Sequence, residues 1–286
     1  MDLEKLYKVA PWPMRPDDSK AQARFDKIVK LFSFLLANHT FFKFLSGKCS
    51  LKVLDVMAGS GIAGAALAKA LSSKKIDVSL TVSDVRASDL QLVKEWVKDV
   101  KGVEVESIVA DVSRLHEVMA NRRKYYDVVL LWGLSTPHLD PWNMARAYAS
   151  ICYLLKDEGV MALDEVDRVF NIFYRIGYKD FLVEGESGEN LTVISIHRGY
   201  DEKRGVFKRV TYTLPGFTKI AALEYRFWDL ASIAALGWLF FNNIDIVPPK
   251  IHNIQEMQHI LLLTRPRRKI SPQDLEKEPE FIYTSD

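Results

Sequence analysis

Residues 53–64 read Val-Leu-Asp-Val-Met-Ala-Gly-Ser-Gly-Ile-Ala-Gly. An apolar run ends in a glycine-rich turn, and an Ala-rich helical pattern follows at once. Asp55 lies inside the apolar run, four residues before Gly59. Glycines at 59 and 61 remove side chains where the backbone must turn and approach a ligand, and Gly64 lets the helix pack on the strand. The free N–H groups and positive dipole end of that helix suit an anionic ligand group. A carboxylate beside such a turn points to a ligand that is part cation and part nucleoside. Two other readings stay open. One is a nicotinamide dinucleotide site, in which the strand usually runs into the first glycine with no acid inside it. The other is an ordinary strand–helix turn capped by Asp55.

In an open parallel sheet, ligands bind at the carboxyl ends of the strands. The residues that close each apolar run are therefore the candidates. They are Ala58-Gly59-Ser60-Gly61, then Asp84 and Val85, then Asp111 and Val112, then Trp132-Gly133, and last Asp164-Glu165. An acid after the second strand can accept from both ribose hydroxyls, and one after the third from an exocyclic amine such as that of adenine. Either could instead cap the next helix. Asp55, Asp84 and Asp111, spaced one βα unit apart, together outline a nucleoside pocket. His138 lies just past the fourth strand, and its ordinary pKa suits a general base. Its plainer role is to position the loop or cap the helix that begins at Pro141. Trp12, Trp132, Trp142 and Tyr200 could wall a substrate pocket or simply pack, and Asp164, Glu165, Asp167 and Arg168 could bind substrate or end a strand in solvent.

The elements that must hold these residues follow from hydrophobic patterning. Runs rich in Val, Leu and Ile predict strands over 53–57, 78–83, 103–109, 127–131 and 160–163. Helical spacing fills the gaps. Ser88 with Gln91 forms a capping box, Ser113 caps a short helix to 119, and Asp140-Pro141 starts a helix reaching about 155. Repeated βα units predict an α/β fold with a doubly wound, mostly parallel sheet. The pattern then changes: 191–197 and 206–214 predict a hairpin with a long polar turn, and 220–227 a third strand. A helix over 228–236, stopped by Gly237, leads to strands over 239–247 and 257–264.

This divides the chain into an N-terminal helical cap (1–50, its main helix capped by Ser19), a ligand-binding core (51–164), a β-rich insertion (165–226) serving as substrate cover or dimer contact, a return to the core (227–266) and a charged tail (267–286), mobile at its end. With 286 residues, 48% hydrophobic content and a formal charge of +2, the chain has ample core material and no strong pull toward nucleic acid or an anionic membrane. The basic run 265–269 could contact RNA phosphate but reads as a solvated tail. Cys49 and Cys152 show no metal-ligand spacing, so no metal site is expected; they fit a reducing, cytoplasmic setting, although two cysteines could form one bridge. Asp2, Glu4 and Lys5 break a signal-peptide pattern, and the apolar stretches 31–45 and 230–241 fall short of the ~20 residues of a membrane span.

Taken together, Leu-Asp-Val-Met-Ala-Gly-Ser-Gly, Ser-Asp-Val, Ala-Asp-Val, Tyr-Asp-Val-Val-Leu-Leu-Trp-Gly and Leu-Leu-Lys-Asp-Glu-Gly-Val-Met-Ala-Leu resemble the class I S-adenosylmethionine-dependent methyltransferases, over roughly 51–163 and again 228–264. Asp157 and Glu158 depart from the proline and glycine usual in the last motif. Gly-Leu-Ser-Thr-Pro-His-Leu resembles the loop of the small-molecule, type 11/25-like branch. The Asn-Pro-Pro-Tyr motif is absent, and neither cysteine follows a proline. The resemblance implies a Rossmann-like seven-stranded sheet, S-adenosylmethionine as cofactor and a small-molecule acceptor methylated by in-line displacement. It implies that Ala58, Gly59, Ser60 and Gly61 lie against the methionine part and that Asp55 holds its ammonium group, usually through water or backbone. Asp84 with Val85 would take the ribose, Asp111 with Val112 the adenine, and Trp132 and Gly133 would face the reacting end. An RNA or protein methyltransferase, a non-catalytic nucleoside-binding module and a homodimer stay open.

Overall fold

Two sheets organise the chain in the computed structural model, which describes residues 2–9, 12–187 and 191–284. The larger sheet contains β1 (Ser50–Val56), β2 (Asp77–Asp84), β3 (Val103–Val109), β4 (Tyr126–Leu131) and β5 (Leu155–Glu165), all parallel. The insertion supplies β6 (Phe181–Ser187), β7 (Leu191–Asp201), β8 (Val206–Leu214) and β9 (Thr218–Tyr225), an antiparallel sheet of its own. The chain then returns as β10 (Phe241–Val247) and β11 (His259–Pro266), giving the order β3-β2-β1-β4-β5-β11-β10 with β11 antiparallel to both neighbours. This is the expected mostly parallel, seven-stranded α/β sheet. Its order reverses between β1 and β4, which opens the crevice where the glycine loop sits.

Burial on both faces explains the apolar strands. Val53, Leu54 and Val56 of β1 and Val128–Leu131 of β4 are fully inaccessible. Helix α1 is Asp2–Val9, α2 Ser19–Asn38, α3 Ile62–Ser72, α4 Pro141–Leu154 and α5 Leu230–Phe240. Helix α2 buries Phe25, Ile28, Leu31, Phe32, Leu35 and Leu36, an i, i+3, i+4 stripe, and packs on α3. Among the described residues no single helix is long and apolar enough to cross a membrane. Cys49 and Cys152 are unbridged.

Several local expectations need correcting. The cap of α2 is Asp18, not Ser19, because its carboxylate accepts from the Lys20 and Ala21 N–H groups at 2.8 and 3.1 Å. The Ser88–Gln91 box does not form. The chain makes two short turns there, and the Ser88 hydroxyl bonds Asp89 instead. Gly237 does not stop α5, which runs through it to Phe240. A Cβ at 237 would lie 2.6 Å from Leu263 Cδ2, so the glycine serves close packing of helix on sheet. The expected cap at Asp140 with Pro141 does form, the carboxylate accepting from Asn143 N–H at 2.7 Å. Strand β6 escaped sequence reading because Phe181, Leu182 and Val183 are all exposed and carry no alternation.

The inserted sheet is seated on the loop after β4. Arg226 N–H donates to Pro137 O at 2.8 Å, and the Trp228 indole N–H lies within 3.2 Å of Thr136 O and Leu139 O. The tail, expected to be solvated, is docked. Arg268 donates to Cys152 O at 2.8 Å and pairs with Asp157, while Arg267 stacks on Trp238. Arg146 gives its Nε–H to Leu275 O (2.7 Å), Nη2–H to Glu276 O (3.0 Å) and Nη1–H to Glu278 (2.8 Å). Arg204 of the β7–β8 turn then bridges Glu278 and Asp140, each at 2.7 Å. A guanidinium with five fixed donors suits such carbonyl-rich docking, and no sequence pattern announces it.

Replacing Arg146 with alanine removes these three bonds. The expected result is a loss of about 1–3 kcal/mol in urea unfolding. Residues 272–284 should become cleavable by protease well before the sheet. Unchanged cleavage would show that the tail is held by other contacts.

Candidate active site

The loop after β1 turns through left-handed backbone at three positions: Met57 at φ 52°, Gly59 at 55° and Gly61 at 75°. Met57 is the costly member, since a side chain disfavours that region. The glycines divide by purpose. A Cβ at Gly61 would come 2.7 Å from Val93 Cγ2, and one at Gly64 would come 2.8 Å from Leu80 Cδ1 and 3.0 Å from Asp55 Cβ. Gly61 thus makes room for Val93, and Gly64 lets α3 press against β2 and β1. A Cβ at Gly59 would meet the guanidinium of Arg86 at 3.0 Å.

Asp55 is fully buried under this loop. Its Oδ2 accepts the Gly64 N–H at 2.8 Å, while Oδ1 is buried without a partner. Burial pushes its pKa up to about 7; the Gly64 bond opposes, and Asp84 and Asp164 add to the rise. Asp84 ends β2 almost wholly buried. Its Oδ2 accepts the Gly59 N–H at 2.8 Å, and its Oδ1 accepts the backbone N–H and Nε–H of Arg86 at 2.9 and 3.1 Å. Arg86 also pairs with Asp89 at 2.6 Å and lies 4.7 Å over the ring of Tyr7 on α1. Helix α1 thus reaches the glycine loop through one stacked cation.

Asp164 and Glu165 close β5. Asp164 accepts the Leu134 N–H at 3.1 Å, and Gly133 N–H bonds it as well. Burial outweighs these bonds and raises its pKa to about 6. Glu165 is raised to about 7 by burial, against the opposing charge of Arg168 at 3.1 Å; it also accepts from the Thr136 hydroxyl and, at 2.8 Å, from Val166 N–H. His138 stands 5.5 Å from the Tyr225 ring of β9. Burial first, then Arg86 and Arg168, brings its pKa down to about 4, so the ring is neutral at physiological pH. Its nitrogens make no hydrogen bond among the described residues, and among these no group of three His, Cys, Asp or Glu side chains could hold a metal.

The structure therefore gathers Asp55, Ala58, Gly59, Ser60, Gly61, Asp84, Gly133, Asp164 and His138 around one crevice, the acids close enough to perturb one another. Other candidates sit differently. Asp111 is exposed and caps the turn at 112–114, accepting the N–H and the hydroxyl of Ser113 at 2.8 Å each. This corrects the expected cap at Ser113. Val85 is exposed and Val112 buried. The Trp132 ring is buried against Phe32, with centroids 4.9 Å apart, so only its backbone remains near the crevice. Sequence reading missed Tyr7, Arg24, Arg86 and Tyr225. Arg86 was two residues past an acid already singled out. Nothing local marks Tyr7 or Tyr225, which arrive from distant segments. Arg24 donates to Pro13 O at 2.7 Å and is coupled to both Asp164 and Tyr7.

Residues 53–159 match a protein-family model described as "Methyltransferase domain". No curated protein matches the chain. The chain is similar to the solved structure of the PH0226 protein from Pyrococcus horikoshii OT3, at 14% identity over 91% of this chain and 98% of that one, with a TM-score of 0.59. It is also similar to an S-adenosylmethionine-dependent methyltransferase from Clostridium acetobutylicum ATCC 824, at 15% identity over 86% and 98%, TM-score 0.55. Streptomyces venezuelae DesVI aligns at 13% identity over 87% and 98%, TM-score 0.50. At such identities the likeness establishes the shared fold.

The raised carboxyl pKa values have a stability consequence with a definite sign. Asp55 and Asp164 ionise less readily folded than unfolded, so their contribution is most favourable below about pH 4 and erodes as pH rises toward 6–7. His138 runs oppositely: its contribution is lost as pH falls from 6.5 to about 4. Asp55→Asn is therefore expected to stabilise the ligand-free chain at pH 8 by roughly 1–3 kcal/mol, with no gain near pH 4. Urea unfolding at the two pH values checks this; equal effects at both would remove Asp55 from the strained set.

Proposed function

Because residues 53–159 match a model described as a methyltransferase domain, we propose that this chain binds S-adenosylmethionine at the carboxyl edge of β1, β2 and β4 and methylates a small molecule. The observation that carries the proposal is Asp55 Oδ1, a buried acceptor with no partner, beside two further buried carboxylates. Such a group fits a ligand bringing positive charge and N–H donors, directly or through water. A nicotinamide dinucleotide brings no comparable cation to that spot. When bound, the cofactor supplies a methyl group carried on a positively charged sulfur.

The roles then fall to this chain's residues. The backbone of Ala58, Gly59, Ser60 and Gly61 lies against the methionine part. Asp84, with Val85 beside it, takes the ribose hydroxyls. Arg86 already spans Asp84 and Asp89, so it can yield one carboxylate and keep the other. Asp111 retains an oxygen beyond its capping bonds for the adenine amine, with Val112 packed behind. Gly133, flanked by the backbone of Trp132, faces the reacting end. His138, neutral and unbonded, can take a proton from an acceptor that arrives protonated. The remaining work is alignment and exclusion of water.

A small acceptor is favoured by the inserted sheet (within 165–226), which sits on the 136–140 loop and puts Tyr225 beside His138. We read it as a cover, although a contact surface in a homodimer is compatible with it. An RNA substrate is less well supported, since Arg267 and Arg268 of the basic run are engaged within the chain. Two unbridged cysteines favour a reducing compartment, and we propose a cytoplasmic location.

Calorimetry should register S-adenosylmethionine and S-adenosylhomocysteine but no comparable heat with NAD; tighter NAD binding would overturn the assignment. Asp84→Ala should weaken cofactor binding by about 1.5–3 kcal/mol, as for other hydrogen bonds to charged groups. His138→Ala should lower turnover while leaving cofactor affinity in place, and full turnover would dismiss it as a base.

A further inference from the structure

Away from the strand ends, a cleft of about 520 Å³ opens between the 112–118 turns, α4 and the docked tail, lined by Arg114, His116, Glu117, Arg146, Leu275 and Glu276 among others. That is the size of a small-molecule pocket. His116 is 6% exposed, and its Nδ1 lies 2.7 Å from Ser150 Oγ. Ser150 spends its one hydroxyl proton on Ser113 O at 3.0 Å, so it accepts from His116 Nδ1–H. This fixes the tautomer: Nε2 carries a lone pair, buried and without a hydrogen-bond partner. Burial keeps the imidazole neutral by pushing its pKa down.

The other polar groups of the cleft define what can meet that lone pair. Arg146 commits three of its five donors to the tail, and Arg114 is clamped on Glu117 at 2.7 to 3.1 Å. Glu117 Oε1 stands 3.9 Å from His116 Nε2, and Glu276 adds a second carboxylate with no side-chain hydrogen bond of its own among the described residues. With Arg114 paired to Glu117 and Arg146 to Glu278, the acceptors left without a donor are His116 Nε2 and the Glu276 carboxylate, and the charge left unpaired is that of Glu276. Among the described residues no three acids or histidines are placed to hold a metal ion here. We infer that this cleft is a second ligand site for a small primary amine in its ammonium form, which donates one N–H to His116 Nε2 and shares its charge with Glu117 and Glu276. An occupant would join the 115–118 turn to the tail, and the tail reaches the inserted sheet through Glu278, Arg204 and Asp140. The site thus reports to the loop that carries His138.

The test uses the full chain labelled with nitrogen-15 and follows the His116 Nε2 resonance as n-butylammonium is added. A saturable shift is expected, and tetramethylammonium, which has no N–H, should produce none. Glu276→Gln, on an exposed side chain, should weaken the response roughly tenfold, about 1.4 kcal/mol. His116→Gln should abolish saturable binding measured by calorimetry. Absence of a saturable shift, an equal response to tetramethylammonium, or an unchanged response in Glu276→Gln would overturn the inference.

Discussion

Asp84 is the junction on which the crevice depends. One oxygen takes the Gly59 N–H and so sets the bend of the loop after β1. The other takes two donors from Arg86, whose guanidinium carries Tyr7 and with it α1. Burying a carboxylate this deeply is costly unless donors and an opposite charge meet it. Its partners meet that requirement and in doing so tie three separate stretches of chain to the end of β2. Asp55 and Asp164 lack equal compensation, and their ionisation is suppressed instead. The difference among neighbouring acids is one of donors supplied, not of residue type.

The loop after β4 plays the same part on the far side of the crevice. Leu134 and Gly133 N–H groups hold Asp164, the Thr136 hydroxyl holds Glu165, and the carbonyls of 136, 137 and 139 receive the inserted sheet. The inserted sheet and the ends of β4 and β5 are thereby joined through a handful of backbone atoms. Carboxylates left short of donors cost stability in the empty fold, a familiar price of a binding site.

Much of this was legible in the sequence because buried parallel strands admit little but Val, Leu and Ile, and because the strand ends must then carry the polar residues. Asp84 and Asp164 were found by that rule, and Asp55 by the contrast of one acid inside an apolar run just before the glycine turn. What escaped shares one physical trait. Gly237 was read as a stop, yet its meaning lies in Leu263 across a helix–sheet contact. Trp132 was read as site-facing, yet Phe32 from α2 claims its ring. The tail was read as loose, yet Arg146 collects its carbonyls. Each outcome is decided by a partner more than twenty residues away, which no local pattern encodes. Strand β6, exposed on both faces over Phe181, Leu182 and Val183, shows the converse: without a buried side there is no periodicity to read.

Both extremities of the described chain fasten to the inserted sheet: Asp2 accepts the Ala222 N–H of β9, and Lys203, in the β7–β8 turn, donates to Thr284. On a ribosome, the parallel sheet can acquire β1 to β5 as they emerge. The insert, by contrast, lacks one of its fastenings until Thr284 has been synthesised. The last fastening of the inserted sheet therefore forms only after β10 and β11 have been made and can already have joined the larger sheet.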